Sequence, residues 1–173
     1  MKMVSQQGSG LLEILVALVI LAIGALGYIM LQVRALEATM ESTQRIQAIN
    51  TGRDLAERVR SNRAGWINYQ TELMVASSGI AENVAKATET PDCATAACTA
   101  AQMADFDVAE IASYASQYGM NLGMQNCPST SNRRCLYVAW GDTKPFDHAT
   151  NTASCTNGVA YRNNSTCIVM EVY

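Results

Sequence analysis

The sequence predicts an α+β protein in which a long N-terminal α-helix packs on a small antiparallel β-sheet with disulfide-bounded loops. Three observations indicate this class: an apolar N-terminal stretch that continues into a helical repeat, alternating apolar residues near the C-terminus, and six cysteines. The 173 residues leave room for one domain beside the apolar stretch. Charged residues make up only 16% and the net charge is −3, which excludes a disordered chain and a strongly basic nucleic-acid binder.

The apolar stretch has the length of a membrane-spanning helix. Of the 21 residues Leu11–Leu31, only Glu13 and two glycines fall outside the apolar class. At about 1.5 Å per residue they span about 31 Å, the thickness of a bilayer core. A cleaved secretory signal has an apolar region of roughly 7–15 residues, so we interpret residues 9–31 as an uncleaved anchor. Lys2 places the N-terminus in the cytoplasm and predicts export of the remaining chain.

Residues 32–63 predict an amphipathic continuation of the same helix, which ends near Arg63. Apolar residues recur there every three or four positions: Val33, Leu36, Met40, Ile46, Ile49, Leu55 and Val59. Four arginines also occur near its end: Arg53, Arg58, Arg60 and Arg63. Because Asp54 and Glu57 lie among them, we interpret this surface as a solvated, ion-paired helix face rather than a nucleic-acid site.

Residues 64–173 predict a globular head. A short helix is expected around Tyr69–Val75, followed by an irregular stretch to Pro91. A second helix is expected near 103–118, after a capping box at Thr99-Ala100-Ala101-Gln102. Alternating apolar residues then predict three antiparallel strands, near 120–126, 135–141 and 167–173.

The six cysteines favour disulfides over zinc, because no CxxC pair is present and an exported domain is oxidised. Six cysteines allow 15 connectivities, and the sequence alone cannot choose among them. We predict nearest-neighbour pairing, because each pair brackets a polar loop: Cys93–Cys98, Cys127–Cys135 and Cys155–Cys167.

The sequence predicts neither an enzyme nor a metal or cofactor site. His148 is the one histidine, and no GxSxG, Walker or HExxH motif occurs. Three acids near the start of the second predicted helix, Asp105, Asp107 and Glu110, lack the loop geometry of a Ca²⁺ site. We interpret them as complementing the helix dipole.

The stretch Gly8-Ser9-Gly10-Leu11-Leu12-Glu13, with the apolar run after it, resembles the class III signal of type IV pilins and type II secretion pseudopilins. The resemblance implies a ladle-shaped fold, a leader of residues 1–8, and cleavage between Gly8 and Ser9 by a prepilin peptidase. It also implies methylation of the new amine at Ser9, although the family's usual residue there is Phe. Glu13 becomes the fifth mature residue, implied to pair with the terminal amine of a neighbouring subunit.

Further stretches resemble the PilV-type minor pilins: Ala56–Arg63, the cysteine-bracketed segment before Asp105-Phe106-Asp107, and Val138-Ala139-Trp140. Such proteins are implied to join other minor pilins and the major pilin, to prime filament assembly on an inner-membrane platform, and to sit at the pilus tip, often with a large adhesin. The resemblance implies a single-pass inner-membrane protein with a periplasmic head before assembly, and an extracellular pilus subunit afterwards.

Three alternatives remain open from the sequence. The first is a minor pseudopilin of a type II secretion system, and the second is a membrane-anchored periplasmic binding or enzymatic domain that never enters a filament. The third is a role in DNA uptake through Arg133 and Arg134 on the Cys127–Cys135 loop, where we favour a soluble turn over nucleic-acid binding.

Overall fold

The computed structural model describes residues 9–74, 91–128 and 133–172. The predicted leader 1–8 and most of the irregular stretch predicted before Pro91 lie outside the described residues. Two compact units divide the chain, Met1–Ser42 and Thr43–Tyr173. The first helix, α1 (Ser9–Ser61), starts in the first unit and ends in the second.

In the first unit α1 is an exposed apolar helix. In the described part of the chain it is the one helix whose length and composition would allow it to cross a membrane. Gly24 and Gly27 lie inside it, and no heavy atom would approach within 4 Å of a Cβ added at either position. The chain's own contacts therefore do not require glycine there.

In the second unit one face of α1 is buried in the head. The buried positions follow the spacing of a single helix face: Ala48, Thr51, Gly52, Leu55, Ala56 and Val59. Leu55 and Val59 belong to the predicted apolar repeat, whereas its earlier members Leu36, Met40 and Ile46 are exposed. Alanine and glycine form half of this buried face, and they contribute little to an apolar repeat in the sequence. The apolar repeat therefore does not indicate where the head begins to cover α1.

Three shorter helical elements lead from α1 to the sheet. A 3-10 turn (Arg63–Gly65) follows α1, then α2 (Trp66–Leu73) and α3 (Ala100–Gln117). The capping box predicted at the start of α3 is formed: Thr99 N donates to Gln102 Oε1 at 2.9 Å, and Gln102 N donates to Thr99 Oγ1 at 3.3 Å. After α3 the chain turns at Gly119, whose φ of +67° suits glycine.

Five strands follow in the described residues: β1 (Met120–Asn126), β2 (Arg134–Trp140), β3 (Lys144–Asp147), β4 (Ser154–Thr156) and β5 (Cys167–Glu171). β1, β2 and β5 form an antiparallel sheet in the order β1-β2-β5. One face of this sheet, including Val138 and Ile168, shares the main core with α1 and α3. Gly52 allows this close approach, since a Cβ there would lie 2.6 Å from Met170 Cε.

A parallel pair, β3 and β4, was not predicted. It lies in the segment that covers the other face of the sheet, where Tyr137 packs with Cys155 and Cys167. β3 has four residues, one of them Pro145, and β4 has three, so neither strand carries enough alternation for a sequence pattern to detect. Beyond β5 the chain stays tied to the sheet, because Val172 N donates to Arg134 O at 3.0 Å.

Candidate functional site

The first candidate site is the start of α1. Ser9 is the first helical residue and Glu13 lies one turn later, so the two positions share a helix face. Glu13 is exposed between the exposed apolar residues Leu12 and Ile14. Across residues 9–74, 91–128 and 133–172 no cation pairs with Glu13. Gly8 lies outside the described residues.

An unpaired carboxylate at this place has a chemical consequence. In a bilayer interior it costs up to roughly 3 kcal/mol, and the chain itself offers no compensation in its described part. A cation supplied by another molecule would remove that cost, provided that it reaches the apolar surface around Glu13. The arrangement therefore suits a contact between chains.

The second candidate site is a charged cluster that joins α1 to α3, here named the head anchor: Arg58, Asp54, Asp107, Glu110 and Tyr69. Arg58 Nη1 donates to Asp107 Oδ1 at 2.8 Å and to Glu110 Oε2 at 2.6 Å. Arg58 Nε donates to Asp54 Oδ1 at 3.0 Å. Tyr69 from α2 donates its hydroxyl to the second oxygen of the buried Asp107.

The head anchor keeps Arg58 charged and Tyr69 neutral. Burial alone would lower the pKa of Arg58, but the hydrogen bonds that it donates to Asp107, Asp54 and Glu110 outweigh burial and raise this pKa above its ordinary value. Burial raises the pKa of Tyr69, and its hydrogen bond to Asp107 raises it further. Both groups thus hold the protonation state in which they donate to Asp107.

The head anchor corrects two interpretations made from the sequence. Arg58 is not on a purely solvated face, because it reaches across to α3. Asp107 and Glu110 do not serve the dipole of α3, whose first turn contains no acidic residue. Arg58 and Asp107 are 49 residues apart, so no local spacing could have revealed their contact.

The third candidate feature is the set of disulfide loops. The structure contains Cys93–Cys98, Cys127–Cys135 and Cys155–Cys167, with Cα–Cα distances of 5.6, 4.9 and 5.9 Å. The nearest-neighbour pairing predicted from the sequence is therefore the pairing observed. All six cysteines are bonded, and each bridge closes a loop whose ends are 5, 8 or 12 residues apart.

Arg133 and Arg134 do not form a free basic patch. Arg133 Nη1 pairs with Glu171 Oε2 at 3.2 Å, and Arg134 donates to Asn126 Oδ1. These contacts tie both arginines to β5 and β1. They agree with the soluble turn favoured above, since each guanidinium already has an acceptor.

Metal and small-ligand sites find little support in the described ranges. No group of three or more His, Cys, Asp or Glu residues could hold a metal ion there. A polar cleft of about 270 Å³ opens beside Asp142, Ser154 and Arg162. Two of its polar groups already bond to each other, since Arg162 Nε donates to Ser154 Oγ at 2.8 Å.

Two family models match the chain. The prokaryotic N-terminal methylation motif matches residues 3–29, and the family described as type IV pilin Tt1218 matches residues 30–109. The first match contains the whole Gly8–Glu13 stretch, and the second contains the head anchor apart from Glu110. No curated protein and no solved structure matches the chain.

Proposed function

We propose that this chain, which belongs to the type IV pilin family, is a non-enzymatic minor pilin that helps to prime pilus assembly and is incorporated near the tip. The observation that carries the proposal is the methylation motif over residues 3–29, which contains the start of the apolar helix and its exposed carboxylate, Glu13. Type IV pilins are structural proteins, and membership implies assembly with other pilins and processing by a prepilin peptidase.

The methylation motif and the apolar N-terminal helix fit anchoring in the inner membrane before pilus assembly. We propose that residues 1–8 are the leader, that cleavage after Gly8 makes Ser9 the methylated N-terminus, and that residues 9–31 act first as anchor and later as filament core. The head would face the periplasm before assembly.

Charge pairing at Glu13 supplies the proposed driving force for assembly. Cleavage creates a terminal ammonium, and methylation keeps its positive charge. Two charges that are costly in the membrane then neutralise each other only when one subunit's terminal amine meets Glu13 of the next. Other minor pilins, the major pilin and a tip adhesin would be the neighbours, assembled on an inner-membrane platform.

Two experiments test the proposal. Mass spectrometry of the chain after treatment with a prepilin peptidase should give a mature N-terminus at Ser9, and cleavage elsewhere would contradict the leader assignment. Glu13→Ala should abolish recovery of the chain in sheared pili while leaving it in the membrane fraction. Glu37→Ala, the same change at an exposed position of α1, is the matched control and should be incorporated normally.

The minor, tip-located role needs its own measurement. Immunogold labelling of the head should decorate filament ends, and deletion of the gene should reduce the number of pili per cell. Labelling along the whole filament would instead indicate a major subunit. Normal piliation of the deletion strain, with secretion of a type II substrate lost, would indicate a pseudopilin.

A further inference from the structure

Two turns between β3 and β5 are built in the same way, one on an asparagine and one on a histidine. In the Asn157 turn, Asn157 Oδ1 accepts hydrogen bonds from Val159 N at 3.2 Å and Ala160 N at 2.9 Å. In the His148 turn, His148 Nδ1 accepts from Thr150 N at 3.2 Å and Asn151 N at 3.1 Å. Both side chains accept from the backbone two and three residues ahead.

The two acceptors differ in their response to protons. A backbone N–H can only donate, so His148 Nδ1 must be unprotonated while it accepts from Thr150 and Asn151. An amide oxygen keeps its lone pairs at ordinary pH, whereas an imidazole nitrogen loses its lone pair on protonation. Histidine is the side-chain type that changes charge between pH 5 and 8, and His148 is exposed to solvent.

A second proton on the His148 ring removes the acceptor that holds the turn. The charged groups on the segments that hold the turn are Lys144 and Asp147 in β3 and Arg162 in the loop closed by Cys155–Cys167. Arg162 Nη2 donates to the backbone oxygens of His148 at 2.7 Å and Ala149 at 2.9 Å. One oxygen of the Asp147 carboxylate, Oδ1, accepts from Gly158 N at 2.6 Å and from the Thr156 hydroxyl. A protonated ring loses the two hydrogen bonds that Nδ1 accepts from Thr150 N and Asn151 N.

We propose that the His148 turn is a pH-sensitive latch, closed while the imidazole is neutral and released when it is protonated. The sign follows from the acceptor: the closed turn needs the unprotonated Nδ1, so it is favoured at higher pH and lost at lower pH, as Nδ1 gains a proton. Because Arg162 lies in the loop closed by Cys155–Cys167 and holds the turn by two carbonyls, release also loosens this loop's attachment to β3.

The test is amide hydrogen exchange on the ¹⁵N-labelled full chain in detergent micelles, between pH 8 and pH 5. The exchange rates of an unstructured peptide at the same pH are divided by the measured rates, which gives a protection factor free of the intrinsic pH dependence. From pH 8 to pH 5 the protection factors of Thr150 and Asn151 should fall by about fivefold or more, the factor that corresponds to one net hydrogen bond. Those of Val159 and Ala160 should stay constant, because an amide holds their turn.

His148→Asn is the decisive variant, since it copies the Asn157 turn and keeps an acceptor that does not titrate. In this variant the protection of Thr150 and Asn151 should no longer depend on pH. The proposal is overturned if the wild-type protection factors stay constant while the ring resonances of His148 titrate. It is equally overturned if the His148→Asn chain loses protection in the same pH range as the wild type.

Discussion

Replacing Arg58 by methionine tests whether the head anchor stabilises the fold. Methionine keeps the length and the apolar stem of the side chain but removes the guanidinium, so the buried Asp107 keeps only the hydrogen bond from Tyr69. The charge-assisted bond to Asp107 contributes about 2 kcal/mol. The bond to Glu110 adds less than about 1 kcal/mol because Glu110 is half exposed and solvent screens it.

Together with the Asp54 pair, worth about 0.3–0.5 kcal/mol on a helix surface, the expected loss is about 3 kcal/mol. For a head of this size this corresponds to a fall in Tm of about 10 °C. Thermal unfolding followed by near-ultraviolet circular dichroism, in detergent and with the disulfides intact, measures the change.

Arg60→Met is the matched control, because Arg60 lies two residues away on the same helix and is exposed. It should change the free energy of unfolding by no more than about 0.5 kcal/mol. A double-mutant cycle with Asp107→Asn should give a coupling energy of about 2 kcal/mol between the two positions. Equal Tm shifts for Arg58→Met and Arg60→Met would refute the reasoning.

Two further predictions concern the head. Gly65→Ala should cost about 1–3 kcal/mol, because the new Cβ would meet the backbone carbonyl of Ala100, which cannot move away. Gly52→Ala should lower the free energy of unfolding by less, because its new Cβ meets the flexible end of the Met170 side chain. The same thermal assay compares the two variants. A larger loss of stability for Gly52→Ala would contradict the packing argument. Burial raises the pKa of Tyr69 and raises that of Tyr137 to about 12. Since both folded-state pKa values lie above the ordinary value of about 10, their contribution to stability is present below pH 10 and lost as the pH rises towards 12. Phenolate absorbance should therefore rise together with loss of the near-ultraviolet signal, and a Tyr69→Phe, Tyr137→Phe chain that unfolds at the same alkaline pH would count against this account.

Some features of this chain follow from residues that are close in sequence. The capping box at Thr99 and the three disulfides join positions that are at most 12 residues apart. The long helix that begins at Ser9 contains no proline and repeats local backbone contacts along its length. Spacing in the sequence is enough to predict these features, because backbone geometry alone brings the partners together.

Other features depend on which surfaces pack against each other. The head covers α1 only from Ala48 onward, and small residues rather than the strongest apolar ones form half of that contact. The pattern of residues along α1 cannot indicate which of its positions are buried, because the burial of Gly52 depends on the position of β5, more than 100 residues later in the sequence.

The sequence by itself determined the class of this protein: an apolar helix with one carboxylate at the fifth position after Gly8, and a disulfide-bounded α+β head. The tertiary structure alone decided which charges meet, since Arg58 contacts Asp107 across 49 residues, and it alone revealed the β3–β4 pair and the His148 turn. The physical reason is that local spacing specifies helices, caps and short loops, whereas the partner of a distant charge is chosen only when the core brings two elements together.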